Sequence, residues 1–554
     1  MASGRSGTMF PSVLAVITVL LLASVFAPVA LGSGAGAGDE PQSTASDDSI
    51  VIDDDLPENG STVEVVVRLE EATVHETASD AATERRLETH AETTQDPLLD
   101  YVRDTDGVSV EETFWLTNAV LITVDTDEVD YETFERFDAV EAVHENFAVT
   151  VPEPPNRANA TTMATASSLA AGERRTTTGL AQLNASPVWD AYDTQGEGVR
   201  VAVLDTGIDV GHPDLELATD DPSDPTYPGG WAEFNATSQR VTGSTPHDTG
   251  THGTHVSGTV AGGATTGTAI GVAPEVELLH GLVLTDTSGS FAQVVAGMEW
   301  ALQEDADVIS MSIGSTGKHS QLIDPVRNAR ESGAVVVAAI GNEGAETSGS
   351  PGNVYEAISV GAVDRNGAVP SFSGGERVNR TDWAGAPDDW AAPSSYVVPD
   401  VVAPGVAITS AVPGGGYESM PGTSMATPHV SGTAALLLSI EPDATPDEIE
   451  TALTETARVP ESRTADGTTD GSDGDVVDTR YGYGIVDASA AADALVAARA
   501  SLEPVTADEP NGETDGTDAS NPLSSPVLLG GIVLVAAGLV AALTVASRRR
   551  NDDR

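Results

Sequence analysis

Three short segments of this chain carry side chains that can move a proton and form a covalent bond. Ser424 stands in Gly422-Thr423-Ser424-Met425-Ala426-Thr427-Pro428-His429-Val430, where a glycine-led turn enters a helical pattern. A hydroxyl there can attack a carbonyl if a base takes its proton, or can simply cap the helix N-terminus. His252 lies in Thr251-His252-Gly253-Thr254-His255-Val256-Ser257-Gly258, and its imidazole is suited to be that base. With His255 it can instead be read as half of a metal site. Zinc-protease helices, however, space their histidines at i and i+4 with a Glu beside the first, and Gly253 stands at that place. Asp205 ends the apolar run Val201-Ala202-Val203-Leu204 and leads into Thr206-Gly207-Ile208-Asp209. A carboxylate at the carboxyl edge of a buried strand can hold an imidazole in one tautomer, or cap the following turn.

These residues need elements to bring them together. Residues 199–204, 276–284, 308–313, 335–340 and 357–363 read as buried strands. Helical patterns lie between or after them at 252–262, 291–303, 321–332 and 424–440. Continuous apolar strands with intervening helices predict an α/β fold, a mostly parallel sheet covered on both faces in three layers. Such sheets carry their sites at the carboxyl ends of the strands. Ahead of this region, residues 51–152 read as βαββαβ: strands at 63–67, 108–115, 119–124 and 140–149, and helices at 78–101 and 128–137. That order predicts a small ferredoxin-like α+β unit. Residues 153–178, rich in Pro, Thr, Ala and Ser, read as a protease-accessible connection.

Asp205, His252 and Ser424 follow one another in the chain order of the subtilisin form of the catalytic triad. With their flanking residues they resemble the signatures of the subtilisin-like serine proteases (subtilases, of the halolysin type) over residues 179–500. The resemblance implies a subtilisin-like peptidase acting on proteins or peptides, with Asp205, His252 and Ser424 as its triad. It implies that Asn342, in Gly341-Asn342-Glu343-Gly344, and the Ser424 backbone N–H form the oxyanion hole; without it, Asn342 reads as a turn residue. Ser312-Ile313-Gly314 resembles the segment that pairs with the substrate backbone, against a plain core strand. Residues 51–152 are similar to the inhibitory propeptide of this family. No cofactor is required for the chemistry. Calcium is a structural ion in the family, and Asp214 resembles one ligand position. The partner loop Gly262-Gly263-Ala264-Thr265-Thr266-Gly267 lacks the side-chain amide expected near Thr265, so the match there is partial.

Composition bounds the setting. Asp and Glu number 86 against 25 Lys and Arg, a formal net charge of -61, and 40% of residues are apolar. A folded, acid-covered protein follows, whose self-repulsion is screened when the Debye length falls to about 3 Å at 1 M salt. A high-salt habitat is expected. Nucleic acid is not, for want of a basic face. Cysteine is absent, which excludes disulfides and thiolate chemistry. Residues 1–34 have the layout of a secretory signal peptide. Residues 501–526 read as an acidic tether, and 527–546 form an uncharged stretch long enough to cross a bilayer. Arg548, Arg549 and Arg550 follow, placing a tail at 547–554 in the cytoplasm and the rest outside. The expected molecule is an extracellular serine endopeptidase anchored by its C-terminal helix. Two rivals are a catalytically inactive surface-binding protein on the same scaffold, which would lack a triad or oxyanion residue, and an ester hydrolase. The latter is disfavoured because no G-x-S-x-G elbow surrounds Ser424.

Overall fold

The computed structural model describes residues 50–53, 56–57, 60–73, 79–152, 175–218, 230–387, 389–460 and 477–501. The expected signal peptide, nearly all of the connection and tether, the membrane span and the tail lie outside them. Among the described residues, no helix is long and apolar enough to cross a membrane.

The larger sheet has 7 strands, in the order Val401–Pro404, Ile358–Val363, Val335–Ala339, Val308–Met311, Arg200–Asp205, Glu277–Leu282, Trp231–Glu233. Every neighbouring pair is parallel. Strand residues alternate faces, so Val201, Val203, Val308, Val335 and Val337 join one apolar cluster with the helices His252–Ala261 and Thr423–Ile440. Ala202, Leu204, Ile309, Met311 and Val336 join a second, with Phe291–Gln303 and Ile323–Glu331. Both faces are dry, which is why these strands read as unbroken apolar runs. The strand Arg200–Asp205 pairs on one side with the next long strand in the chain and on the other with a later one. Its carboxyl end is therefore where strand order reverses and a crevice opens. Asp205 sits there.

The N-terminal region forms a 5-stranded sheet, ordered Val51–Ile52, Val140–Glu145, Thr62–Leu69, Ala119–Asp125, Val108–Phe114. The helix Asp80–Asp104 covers part of it. A second helix expected at 128–137 is only a 3-10 turn, Tyr131–Arg136. The single strand expected at 140–149 is two, Val140–Glu145 and Ala148–Thr150, and the second leaves this sheet to pair with Ser288–Ser290. Val65 and Val67 build the region's own core with Leu98, Val102 and Ile122. Val66, Phe114, Leu116 and Leu121 instead join the cluster that contains Phe291 and Val326. The small sheet is thus buried on both sides, one side by the larger region.

Several polar groups inside this contact pair across it. Arg68 is paired with Asp324, which is fully buried, and Arg327 Nη2 lies 2.8 Å from the other Asp324 oxygen. Asn328 Nδ2 donates to the Leu116 carbonyl at 2.7 Å. Glu299 Oε1 accepts from the Trp115 and Leu116 N–H groups at 2.5 and 2.8 Å. Burial pushes the Glu299 carboxyl up to about 8 from an ordinary value of 4.5. A raised acid pKa means that the docked state holds a proton which the separated state has released. Stability from this group is present below 4.5 and is lost as pH rises toward 8. The thermal midpoint of the full chain should therefore contain a component that falls across this window. In Glu299→Gln that component should vanish, leaving a flatter difference curve in calorimetry.

Candidate active site

Asp205 and His252 meet because the turn between strand and helix is tied down on several sides. The Asp205 carboxylate is fully buried. Its Oδ1 accepts from the Thr206 N–H and the His252 Nδ1–H, each at 2.8 Å, and Oδ2 lies 3.0 Å from the same Nδ1. A carboxylate can only accept here, so Nδ1 carries a proton, and in the neutral form of the ring Nε2 presents a lone pair. Among the described residues, that Nε2 has no hydrogen-bond partner.

Ser424 enters from the helix Thr423–Ile440, which packs against the helix that His252 begins. Gly422 precedes it at φ +152, a conformation that favours glycine, and a Cβ there would come within 3.5 Å of Asn342 Nδ2. Ser424 Oγ donates to the Ser312 carbonyl at 3.2 Å, and Ser312 Oγ returns a bond to the Ser424 carbonyl at 2.8 Å. Asn342 follows the strand Val335–Ala339 and receives the Thr423 N–H on its Oδ1 at 3.0 Å. That bond turns Nδ2 toward the cleft, where it donates to the Pro152 carbonyl at 3.4 Å.

The cleft is filled by the chain's own residues 147–152. Ala148–Thr150 runs antiparallel to Ser288–Ser290. On its other side Thr150 exchanges two bonds with Gly314, N to O and O to N, both 2.9 Å. Val151 N donates to the Thr287 carbonyl at 3.0 Å. Of the expected substrate-binding segment, Gly314 pairs with this strand, Ser312 holds Ser424, and Ile313 is fully buried beneath.

The sequence pattern of the Subtilase family matches residues 196–484, which hold all four of Asp205, His252, Asn342 and Ser424. The chain belongs to the subtilase family. It is 38% identical over 285 residues to subtilisin E of Bacillus subtilis, covering 50% of this chain and 65% of that protein. It is also 38% identical to a subtilisin of Bacillus pumilus, over 50% of this chain and 90% of that one. The thermostable alkaline protease of Halalkalibacterium halodurans matches at 38% over 264 residues, 47% of this chain and 63% of the relative.

Two supporting side chains of this subtilase escaped the motifs. His280, in the strand Glu277–Leu282, accepts the Gly207 N–H on Nε2 at 3.1 Å and shares a bond of 2.9 Å between Nδ1 and Ser257 Oγ. Burial holds its pKa down to about 4, so the ring is neutral and fixes the turn after Asp205. Asp248 accepts from Thr206 Oγ1 at 2.8 Å and from Thr254 N at 2.9 Å, anchoring both sides of the same corner. A histidine inside Leu278-Leu279-His280-Gly281-Leu282 was the available signal. His255, three residues on, has its Nε2 against the Ile408 carbonyl at 3.0 Å.

Asp214, the residue that resembled a calcium ligand, is tied into hydrogen bonds in this subtilase. Its Oδ1 takes Thr265 N at 2.7 Å and Thr265 Oγ1 at 2.6 Å, and its Oδ2 takes Tyr417 OH at 2.5 Å. Hydrogen-bond donors serve both oxygens, a set that does not fit a calcium ion. Among the described residues no group of three or more His, Cys, Asp or Glu is arranged to hold a metal.

Close packing at the His252 helix makes a further expectation. A Cβ on Gly253 would lie 2.2 Å from the Gly207 carbonyl oxygen, a backbone atom pinned by the turn. Gly253→Ala should cost about 1–3 kcal/mol in urea unfolding, the range for overpacking. It should also lower kcat by displacing His252 from Asp205.

Proposed function

We propose that this subtilase is a secreted serine endopeptidase of the halolysin type, working in high salt and hydrolysing peptide bonds through an acyl-enzyme intermediate. The observation that carries the reading is the backbone of residues 147–152 lying in the cleft with the Pro152 carbonyl on the Asn342 amide. A polypeptide main chain paired on both edges is the geometry of a bound peptide rather than of a simple ester. In this reading Ser424 Oγ rotates from the Ser312 carbonyl to His252 Nε2, gives up its proton and attacks the carbonyl carbon. His252, oriented by Asp205, returns that proton to the leaving amine. Asn342 Nδ2 and the Ser424 N–H take the negative charge of the tetrahedral intermediate. A water then gives a proton to His252 Nε2 and attacks the acyl carbon, the Oγ–acyl bond breaks, and His252 returns the proton to Ser424 Oγ, so that the acid leaves and the serine is restored without a cofactor.

Residues 51–152 then act as an inhibitory propeptide, and the first bond cut is Pro152–Glu153. Residues 1–34 direct export, and 527–546 hold the enzyme at the outer face of the membrane through the tether 501–526. The extreme acidity supports a habitat in brine, where its own repulsion is damped.

The test is expression of wild type and Ser424→Ala in strong salt. Wild type should digest casein and yield a fragment ending at Pro152 by intact mass. Ser424→Ala should keep the Pro152–Glu153 bond. Undigested casein, or the same cut in both proteins, would reject the reading. Deleting residues 527–554 should move activity from the cell surface to the medium.

A further inference from the structure

The cleft reads the bound chain further upstream than its backbone pairing alone would require. Phe147 is the sixth residue back from the Pro152–Glu153 bond, counting Pro152 as the first. Its carbonyl accepts the Phe291 N–H at 2.9 Å. Its ring lies on the His319 imidazole, with centroids 4.4 Å apart and planes 19° apart, and it also meets the Phe291 ring at 5.3 Å. Both partner rings are held by their own region. His319 N donates to Ser350 Oγ at 3.0 Å, and its Nε2–H donates to the Thr316 carbonyl at 3.2 Å. Thr316 and His319 belong to the same segment as Gly314, which pairs with Thr150. The imidazole is therefore a preset shelf at the far end of the cleft, and Phe291, fully buried while the cleft is filled, walls its side.

We propose that His319 and Phe291 form a subsite that selects substrates with an aromatic side chain at the sixth position before the scissile bond. The inference rests on the proposed endopeptidase reading and on Pro152 as the residue before the cut. A flat ring stacks on a flat imidazole and meets the second ring at a tilt, contacts that an alanine cannot make and a leucine makes without the ring electrostatics. When the N-terminal region departs, a substrate aromatic takes the place of Phe147 on the same two rings. Because the ring contact is separate from the backbone pairing at Gly314, it adds selectivity without being needed for binding.

The experiment uses the matured enzyme and quenched fluorescent peptides. Each carries the sequence of residues 146–151 followed by leucine and the cleaved bond, with Phe, Leu or Ala at the place of Phe147. The expected result is a kcat/KM about three- to tenfold higher for Phe than for Ala, with Leu between them. In His319→Ala the Phe-to-Ala ratio should fall toward one, and in His319→Phe it should be kept. Equal rates for the three peptides in wild type would overturn the subsite, whether or not the variants fold. A Phe preference unchanged in His319→Ala would overturn the role of His319. No cleavage of any peptide, nor of a shorter one holding only four residues before the bond, would overturn the endopeptidase reading itself. Cleavage of all of them without a Phe preference would overturn the subsite alone.

Discussion

Ser424→Ala should reduce kcat on a peptide substrate by about a millionfold, while the melting temperature of the protein stays close to that of wild type. The magnitude is the one known for a subtilisin that loses its serine. It is large because the hydroxyl makes the only covalent bond in the proposed route. Among the described residues His252 Nε2 has no hydrogen-bond partner, so removing Oγ leaves the proposed base with no proton to take. Stability should change little, since Ser424 Oγ makes one bond of 3.2 Å, to the Ser312 carbonyl. Progress curves followed for days in salt, with a thermal scan of the same sample, would check both halves. A loss below tenfold would remove Ser424 from the role of nucleophile.

The second large effect is expected at Asn342. Asn342→Ala should lower kcat by about 10²–10³ and leave KM nearly unchanged, again a size recorded in a subtilisin. At 3.4 Å from the Pro152 oxygen the amide is loosely placed for a ground-state carbonyl. It is better placed for an oxyanion, which accepts a shorter, stronger bond. This residue has two jobs that can be separated. Its Oδ1 holds the Thr423 N–H and hydroxyl at 3.0 and 3.1 Å. Asn342→Asp keeps an oxygen there but loses the N–H donors, so it should show the kcat loss with less loss of stability than Asn342→Ala. Equal kcat in wild type and Asn342→Asp would place charge stabilisation elsewhere.

Much of this site was legible because each key residue sits at a boundary that leaves a mark in the sequence. Asp205 closes an apolar run, and Ser424 stands two residues after Gly422, which adopts φ +152. Asn342 was different. Gly341-Asn342 looks like any turn, and only the resemblance to a family marked it. His280 and Asp248 were missed for opposite reasons: the first is hidden inside an apolar strand, and the second lies in a polar loop with no periodicity. In the fold, the helix Phe291–Gln303 begins and ends where expected, helped by the Ser290 and Gln293 capping box. The short helices Thr178–Leu183 and Ala185–Tyr192 were not foreseen, since they are small and joined through Asn184 at φ +60. The run at 140–149 reads as one strand in the sequence. What breaks it is tertiary: Glu145 ends pairing with one sheet, and Ala148 begins pairing with a different region.

The pairing of Arg68 with Asp324 has a consequence for how the molecule responds when the salt around it changes. Exposed carboxylates on this molecule feel every change in dissolved ions, because mobile counterions crowd around them. Asp324 is sealed from those ions, with no accessible surface, and Arg68 keeps only 7% of its own. Attraction between these two charges therefore stays nearly constant from dilute water to saturated brine. The outer coat adjusts to the weather of the medium while the clasp between the two regions does not.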